Sequence, residues 1–245
     1  MTGSPGPVVI HIEEGPDSAA RIGPALTQAG IRLGTPVVVL VGGASGMSAA
    51  DAATASALFD AALVPALRTT GAGLVDGGTD VGVMALAGSA RSRASLGGLH
   101  IGVIAAGTLA GVDGNDGSSG PVEIEQHHSH VVVVPGMDWG DESPWLSRVA
   151  AVLSDGQPSV TLLVNGGEIA YRDLELSIHA GRPAIVIAGT GRTADDIAAS
   201  PPATPRARAL ARSPMVQVVP GTASAVLHML RRALEQGWAD EGTCV

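Results

Sequence analysis

The sequence predicts an α/β fold built on an open, mostly parallel sheet with helices on both faces. Three features carry that expectation: short β-branched runs recur along the 245 residues, glycine-rich turns close them, and Ala- and Leu-rich stretches follow. Parallel strands covered on both faces read as continuous apolar runs, and the crossover between two of them needs a helix-length segment. The length suits one large domain, residues 1–245, better than two small ones. With 2% aromatic residues and 34 glycines, the core must be Val, Leu, Ile and Ala packed around tight turns.

In chain order, residues 1–7 (MTGSPGP) are expected to be disordered. Strands are expected at Val8–Ile12, Pro36–Val41, Gly73–Val75, His100–Ala105, Val131–Val134, Val160–Val164, Ala184–Ala188 and Val216–Val219. Ser48 stands at an N-cap position before AADAATASALFDAALVPALRTT, where Leu58, Ala62 and Leu67 share a helical face and Pro65 should kink or shorten the end. The stretch after Gly82 reads as a helix, as do Ser143–Ser154, capped by Asp141 or Ser143, and Thr222–Gln236, with Val226, Leu230, Ala233 and Leu234 inward. Gly107–Gly120 and residues 200–214 break the apolar pattern and read as surface loops, though the second could include some helix.

The 14 basic residues are all arginine, against 23 acidic residues, for a net charge of −9. That balance argues against a nucleic-acid partner and a polybasic membrane binder. It does not exclude an anionic ligand, because exposed charges are screened beyond about 8 Å and local amides dominate a pocket. The one cysteine, Cys244, excludes an intrachain disulfide and fits a reducing cytoplasm. No run approaches the ~20 apolar residues of a membrane span, so none is expected.

Four strand-to-glycine junctions share one polarity: VVVLVGGASGM (37–47), LVDGGTDVGVM (74–84), LLVNGGEIAYRDLE (162–175) and IVIAGTGRTADD (185–196). In an open parallel sheet all of them lie at the carboxyl ends of strands, where ligands bind. Glycine lets backbone approach a ligand, and the following helix points unpaired N–H groups and a positive dipole end at it. One such end contributes about 0.3–1 kcal/mol, so several must converge to hold a phosphorylated ligand. Candidate ligand contacts are Gly42, Gly43, Ala44, Ser45 and Gly46; Gly77, Gly78, Thr79, Gly82 and Met84; Asn165, Gly166, Gly167 and Glu168; and Gly189, Thr190, Gly191 and Arg192. Arg192 is a candidate bidentate partner for a diphosphate, with a salt bridge to Asp195 or Asp196 as the rival role. Tight turns need glycine in any case, and neither GxGxxG nor GxxxxGK[ST] is present, so the dinucleotide fingerprint and the Walker loop are unsupported.

His127, His128 and His130 precede a β-like VVVV run without a helical HExxH or a cysteine set, so no metal is expected, and no cofactor. His130, with Ser129, is a candidate ligand contact or a structural pin. Trp139 could cover a base or simply pack.

Taken in order, VGGASGM, DGGTDVGVM, HSHVVVVPGMDWGDESPWL, VNGGEIAYRDLE and AGTGRTAD resemble the prokaryotic LSDAT/SLOG proteins, relatives of the amino-terminal region of the melastatin-type TRP channels. The wider family is similar to the "lysine decarboxylase-like" LOG phosphoribohydrolases and to the DNA-processing protein A fold. The resemblance implies a Rossmann-like sheet that binds a nucleotide-derived ligand such as ADP-ribose or a related NAD product. It implies that Gly77, Gly78, Thr79, Gly82 and Met84 match the family's GGxTxGxM-like turn and that Asn165 to Glu168 occupy the place of the hydrolases' PGGxGTxxE motif. In that motif Asn165 replaces proline, Ile169-Ala170 replaces Gly-Thr, and Asp173 stands where the catalytic glutamate is expected, with Glu175 two residues on. The hydrolases' arginine has no evident counterpart.

Three functions stay open: a sensor or binding module for a phosphorylated nucleoside ligand; an N-ribosyl or phosphoribosyl hydrolase using Glu168, Asp173 or Glu175; and a structural oligomer subunit. A carboxylate near a developing oxocarbenium ion would serve the second, with Asp76 a further candidate. A homodimer is expected, and a bulky residue at Gly78 should abolish binding with the fold intact.

Overall fold

The computed structural model describes residues 6–109 and 122–238. Most of the expected Gly107–Gly120 loop, the first five residues and Cys244 lie outside them. Eight strands, β1 (Val8–His11), β2 (Val37–Gly42), β3 (Gly73–Asp76), β4 (His100–Ala105), β5 (His130–Val134), β6 (Ser159–Val164), β7 (Ala184–Ala188) and β8 (Val216–Pro220), form one sheet in the order β1-β5-β4-β3-β2-β6-β7-β8. Every pairing is parallel.

Among the described residues nine α-helices accompany them: α1 (Ser18–Gln28), α2 (Ala49–Leu58), α3 (Val64–Thr70), α4 (Gly82–Arg93), α5 (Ser143–Ser154), α6 (Glu168–His179), α7 (Arg192–Ala198), α8 (Pro205–Ala211) and α9 (Ala223–Glu235). Alternate side chains of a strand point to opposite faces. Val37, Val39 and Val41 of β2 therefore join a core with α1, α5, α6, α7 and α8, while Val38 and Leu40 join one with α2, α3, α4 and α9. The apolar run of β2 has no polar alternation because neither face meets water.

The Ser48 hydroxyl accepts the Asp51 N–H at 3.1 Å and starts α2. The helix runs unbroken into α3 through a π-helical stretch, Phe59–Leu63. Pro65 follows that wide turn, which accommodates the missing N–H and the crowding of its ring, so the expected shortening does not occur. Ala49–Thr70 is 22 residues long and its most apolar 18-residue stretch has a mean hydropathy of 1.3, enough to cross a membrane by length and composition alone. Here its apolar side is spent on the core: Leu58, Phe59, Ala62, Leu63, Val64 and Leu67 are all buried against the sheet, α4 and α9.

The 200–214 segment is not simply a surface loop. The Thr204 hydroxyl accepts the Ala207 N–H at 3.0 Å and Pro205 occupies the first turn of α8, a start signal that the surrounding prolines obscure. Neither Asp141 nor Ser143 caps α5: Glu142 occupies that position, and Asp141 accepts the N–H groups of Met137 and Asp138 instead.

From β2 the chain adds β3, β4 and β5 on one side, then crosses back to place β6, β7 and β8 on the other. The reversal makes a topological switch point between β2 and β6, where crossovers leave in opposite directions and open a crevice above the strand ends.

Candidate functional site

A cavity of about 700 Å³ occupies that crevice. Its size falls within the ~300–1,000 Å³ of small-ligand sites. Leu40 to Ser45 enter from β2 and its turn, Gly77 and Thr79 from the β3 turn, and Ile104, Ala105 and Thr108 from the end of β4. A second wall comes from Trp139, Glu142 and Leu146 before and within α5, and from Gly167, Glu168, Ile169, Ala170 and Asp173 of α6; Arg192 closes the rim.

One part of this lining suits an anion. Helices α4 and α6, twelve residues each, begin beside it, and first-turn N–H groups carry partial positive charge without helical partners. Thr79 is 1% exposed and its Oγ1 has no hydrogen-bond partner among the described residues. An orphaned buried hydroxyl costs about 1–3 kcal/mol, and this one belongs to a residue of the cavity wall.

Arg192 Nη1 donates to the Ser45 carbonyl at 2.7 Å, and the guanidinium lies beside Gly167, so one side chain ties the β2 turn to the β6 turn. Among the described residues no carboxylate pairs with it. The rival bridge does not form because Asp195 accepts the N–H groups of Gly189 and Gly191 at 2.6 and 3.1 Å, while Asp196 accepts the Tyr171 hydroxyl at 3.2 Å.

Several expected contacts brace the cavity instead of lining it. The Asn165 N–H donates to Thr190 Oγ1 at 2.9 Å, its Nδ2 donates to the Thr190 carbonyl at 2.7 Å, and the Thr190 hydroxyl donates to Ile187 O at 2.7 Å. Both residues are fully buried. They knit the turns containing Gly166, Gly189 and Gly191, and Gly46 stands behind the Arg192 guanidinium. Gly82, at φ +55°, abuts the Gly43 and Ala44 carbonyls with no room for a side chain, joining α4 to the β2 turn. Gly78, at φ +70°, backs onto β4: a Cβ there would lie 2.8 Å from Ile104 Cγ1 and 2.9 Å from Gly102 Cα. A bulky residue at Gly78 would damage the fold itself, which corrects the expectation that it would act on binding alone.

Beneath the Thr79 turn lies a buried polar cluster. Asp76 accepts from the Gly78 N–H at 2.8 Å and is bonded by His100 Nε2 and His128 Nε2, each at 2.8 Å. His128 Nδ1 reaches Glu125 Oε2 at 2.9 Å, and Glu125 also holds His127. Burial alone would lower the His128 pKa, but Asp76 and Glu125 on either side raise it to about 10. Burial would raise Asp76, yet His128 and His100 hold it well below the carboxylate range. Burial takes His100 down to about 4, against the pull of Asp76. At neutral pH a His128 cation therefore sits between two carboxylates. Asp76, His100 and His128 offer atoms within 4.8 Å of one another, a spacing open to a metal, but the atoms that face each other are engaged in these hydrogen bonds. With Asp80 N–H to Glu123 O at 2.9 Å and Glu125 N–H to Gly78 O at 3.0 Å, the cluster fixes the turn that presents Thr79.

The expected His130 contact is corrected. His130 opens β5, in register with Val8 and Ile101, and its ring meets Ser129 Oγ at 3.0 Å. Strand beginnings lie at the opposite rim of a parallel sheet from strand ends.

The carboxylate candidates separate. Glu175 accepts two hydrogen bonds from Arg206, at 2.7 and 2.8 Å, and Glu168 pairs with the same guanidinium from the cavity rim. Arg206 also stacks over Tyr171, 5.0 Å from the ring centre, so Glu175 is held on the outer side of α6. Asp173 shares the Ile169 and Ala170 face and lines the cavity with Oδ1 unpartnered. Burial, reinforced by Glu142, pushes its carboxyl up to about 7, and burial also raises Glu142. Glu142 is absent from the sequence expectations, because DWGDESPWL reads as a helix start whose Asp and Ser draw attention first.

Residues 35–228 match the family described as SLOG in TRPM, prokaryote. The chain belongs to that family. The match embraces all four glycine junctions, so the cavity is built wholly from the SLOG region. The mouse transient receptor potential cation channel subfamily M member 2 is 26% identical over 176 residues, 58% of this chain and 12% of the channel, so the SLOG chain spans a small fraction of that relative's length. Among solved structures, the molybdenum cofactor carrier protein of Chlamydomonas reinhardtii is 17% identical with a TM-score of 0.51, over 82% of this chain and 98% of that one. The molybdenum cofactor binding protein of Rippkaea orientalis is 18% identical with a TM-score of 0.45, over 62% and 76%. The first likeness supports the same α/β architecture for the SLOG chain.

Proposed function

We propose that this protein is a soluble binding module for a phosphorylated, nucleotide-derived ligand, with ADP-ribose or a related NAD product as the leading choice. Family membership and the likeness to a molybdenum cofactor carrier favour small-ligand binding in general. The observation that carries the reading is a buried Thr79 hydroxyl, unpartnered among the described residues, on a residue of the cavity wall at the switch point, with an Arg192 guanidinium that no described carboxylate neutralises. Two helix starts and one guanidinium compensate a diphosphate in a chain whose net charge is −9. A cytoplasmic homodimer belongs to this reading, and light scattering of the purified chain tests the dimer.

The test is to incubate the full chain with ADP-ribose, NAD and nucleoside monophosphates, following thermal stability and released base by chromatography. Stabilisation without base supports the module, and Arg192→Ala should then weaken binding about tenfold or more. No stabilisation across the panel refutes it and favours a structural subunit. The hydrolase reading has one observation of its own: Asp173 is a cavity-lining acid whose carboxyl burial raises to about 7, as a proton donor requires. Base release that disappears in Asp173→Asn would establish it.

A further inference from the structure

The cavity has a second polar wall that a phosphate does not explain. Asp173 Oδ1 and Trp139 Nε1 are both shielded from solvent and, among the described residues, without hydrogen-bond partners, and both residues line the cavity together with Glu142. Glu142 spends Oε2 on the Gly140 N–H at 2.8 Å. Arg172, the nearest cation, donates to the Gly140 carbonyl at 2.9 Å. The Ser143 hydroxyl stands beside Asp173 and tempers the rise of its pKa, although neither Ser143 Oγ nor Asp173 Oδ1 makes a hydrogen bond of good geometry among the described residues. Two carboxyl side chains and an indole thus belong to the wall of the space that Leu146, Ile169 and Ala170 keep apolar.

A second anion is excluded on this wall, since it would meet two acids. A simple ammonium would satisfy the carboxyls but leave the Trp139 N–H, which can only donate, still unpaired. A hydroxyl both donates and accepts, so neighbouring hydroxyls satisfy the whole set: each gives its proton to a carboxyl oxygen and one accepts from the indole. Their carbon skeleton would pack on the apolar residues between.

We propose that Asp173, Glu142 and Trp139 form a sugar-reading subsite that takes the vicinal hydroxyls of a ribosyl group, while Thr79 and Arg192 hold the attached phosphate. The inference rests on the proposed function and deepens it: the ligand class becomes a ribosyl phosphate or diphosphate with its hydroxyls free. Asp173 is here a specificity residue, independent of any turnover.

Calorimetric titration of the full chain with ADP-ribose and with inorganic pyrophosphate tests this. Pyrophosphate engages the anion wall alone. Asp173→Asn and Glu142→Gln should each weaken ADP-ribose binding about tenfold, the size of one lost charge-assisted hydrogen bond, and leave pyrophosphate within about twofold. Thr79→Val should weaken both ligands. A second pair of probes, ribose 5-phosphate and 2-deoxyribose 5-phosphate, should differ about tenfold on the unmodified chain and converge on Asp173→Asn. If Asp173→Asn and Glu142→Gln bind ADP-ribose as tightly as the unmodified chain, or the deoxy sugar binds equally, the subsite is refuted while the phosphate site stands. If the unmodified chain binds none of the four probes, both readings fall. Thermal unfolding of each variant separates a damaged fold from a damaged site.

Discussion

Thr79→Val separates a functional hydroxyl from a structural one, because the two roles give stability changes of opposite sign. The residue is 1% exposed and Oγ1 finds no partner among the described residues. Valine matches threonine in shape, so the substitution removes a desolvated hydroxyl that the empty fold does not satisfy, and leaves no void. Relief of that penalty is worth about 1–2 kcal/mol. At about 2–4 °C per kcal/mol for a chain of this size, the ligand-free protein should melt about 2–8 °C higher. The same change removes a hydrogen bond to a charged oxygen of the ligand, worth about 1.5–3 kcal/mol, so ADP-ribose affinity should fall about ten- to a hundredfold. Differential scanning calorimetry without ligand and isothermal titration with ADP-ribose read the two effects separately. A lower melting temperature with unchanged affinity would show that Thr79 makes a structural bond and would sink the reasoning.

Three further outcomes follow from the site. Gly78→Ala imposes φ +70° on a residue with a side chain and drives Cβ to 2.8–2.9 Å from β4, so urea unfolding should report a loss of about 2–5 kcal/mol; a loss under 1 kcal/mol would contradict the backbone-on-backbone packing. His128→Leu removes the cation between Asp76 and Glu125, leaving Asp76 to His100 and Gly78 and Glu125 to His127, and should cost about 3–5 kcal/mol at pH 6, as for removal of one partner from a buried pair. The stability His128 contributes is complete below its unfolded pKa near 6.5 and is lost as pH rises through about 10, so the gap between variant and unmodified chain should narrow over that interval. For Asp173 the sign reverses: its folded pKa of about 7 lies above the ordinary 3.8, so the folded state holds a proton the unfolded chain has lost. Its contribution to stability should therefore fall from about pH 4 to pH 7 and level off above. Glu142 and Arg172, the charged groups facing it, are unchanged in Asp173→Asn, which should remove that part of the slope in denaturant titrations across the range.

The sequence determined the strands, and it did so because their signal is local. A buried parallel strand is an apolar run ended by glycine, and all eight expected runs overlap an observed strand within a residue or two at either end. The Ser48 cap and the inward faces of α2, α3 and α9 are local in the same way, as are the ordered glycine junctions that mark the family. Only tertiary structure decided which junction residues line the cavity. Gly77 and Thr79 do while Gly78 between them backs onto β4, because the chain turns there at φ +70° just past the end of β3. It also removed Glu175 from the candidates through Arg206, 31 residues away, and joined Asp76 to His128 across 52 residues. Glu142 and Asp173 line one cavity only because α5 and α6 pack side by side, and the raised pKa values there come from the water that packing excludes. Periodicity is written along the chain, whereas burial and the partner of a charge belong to the space between its segments.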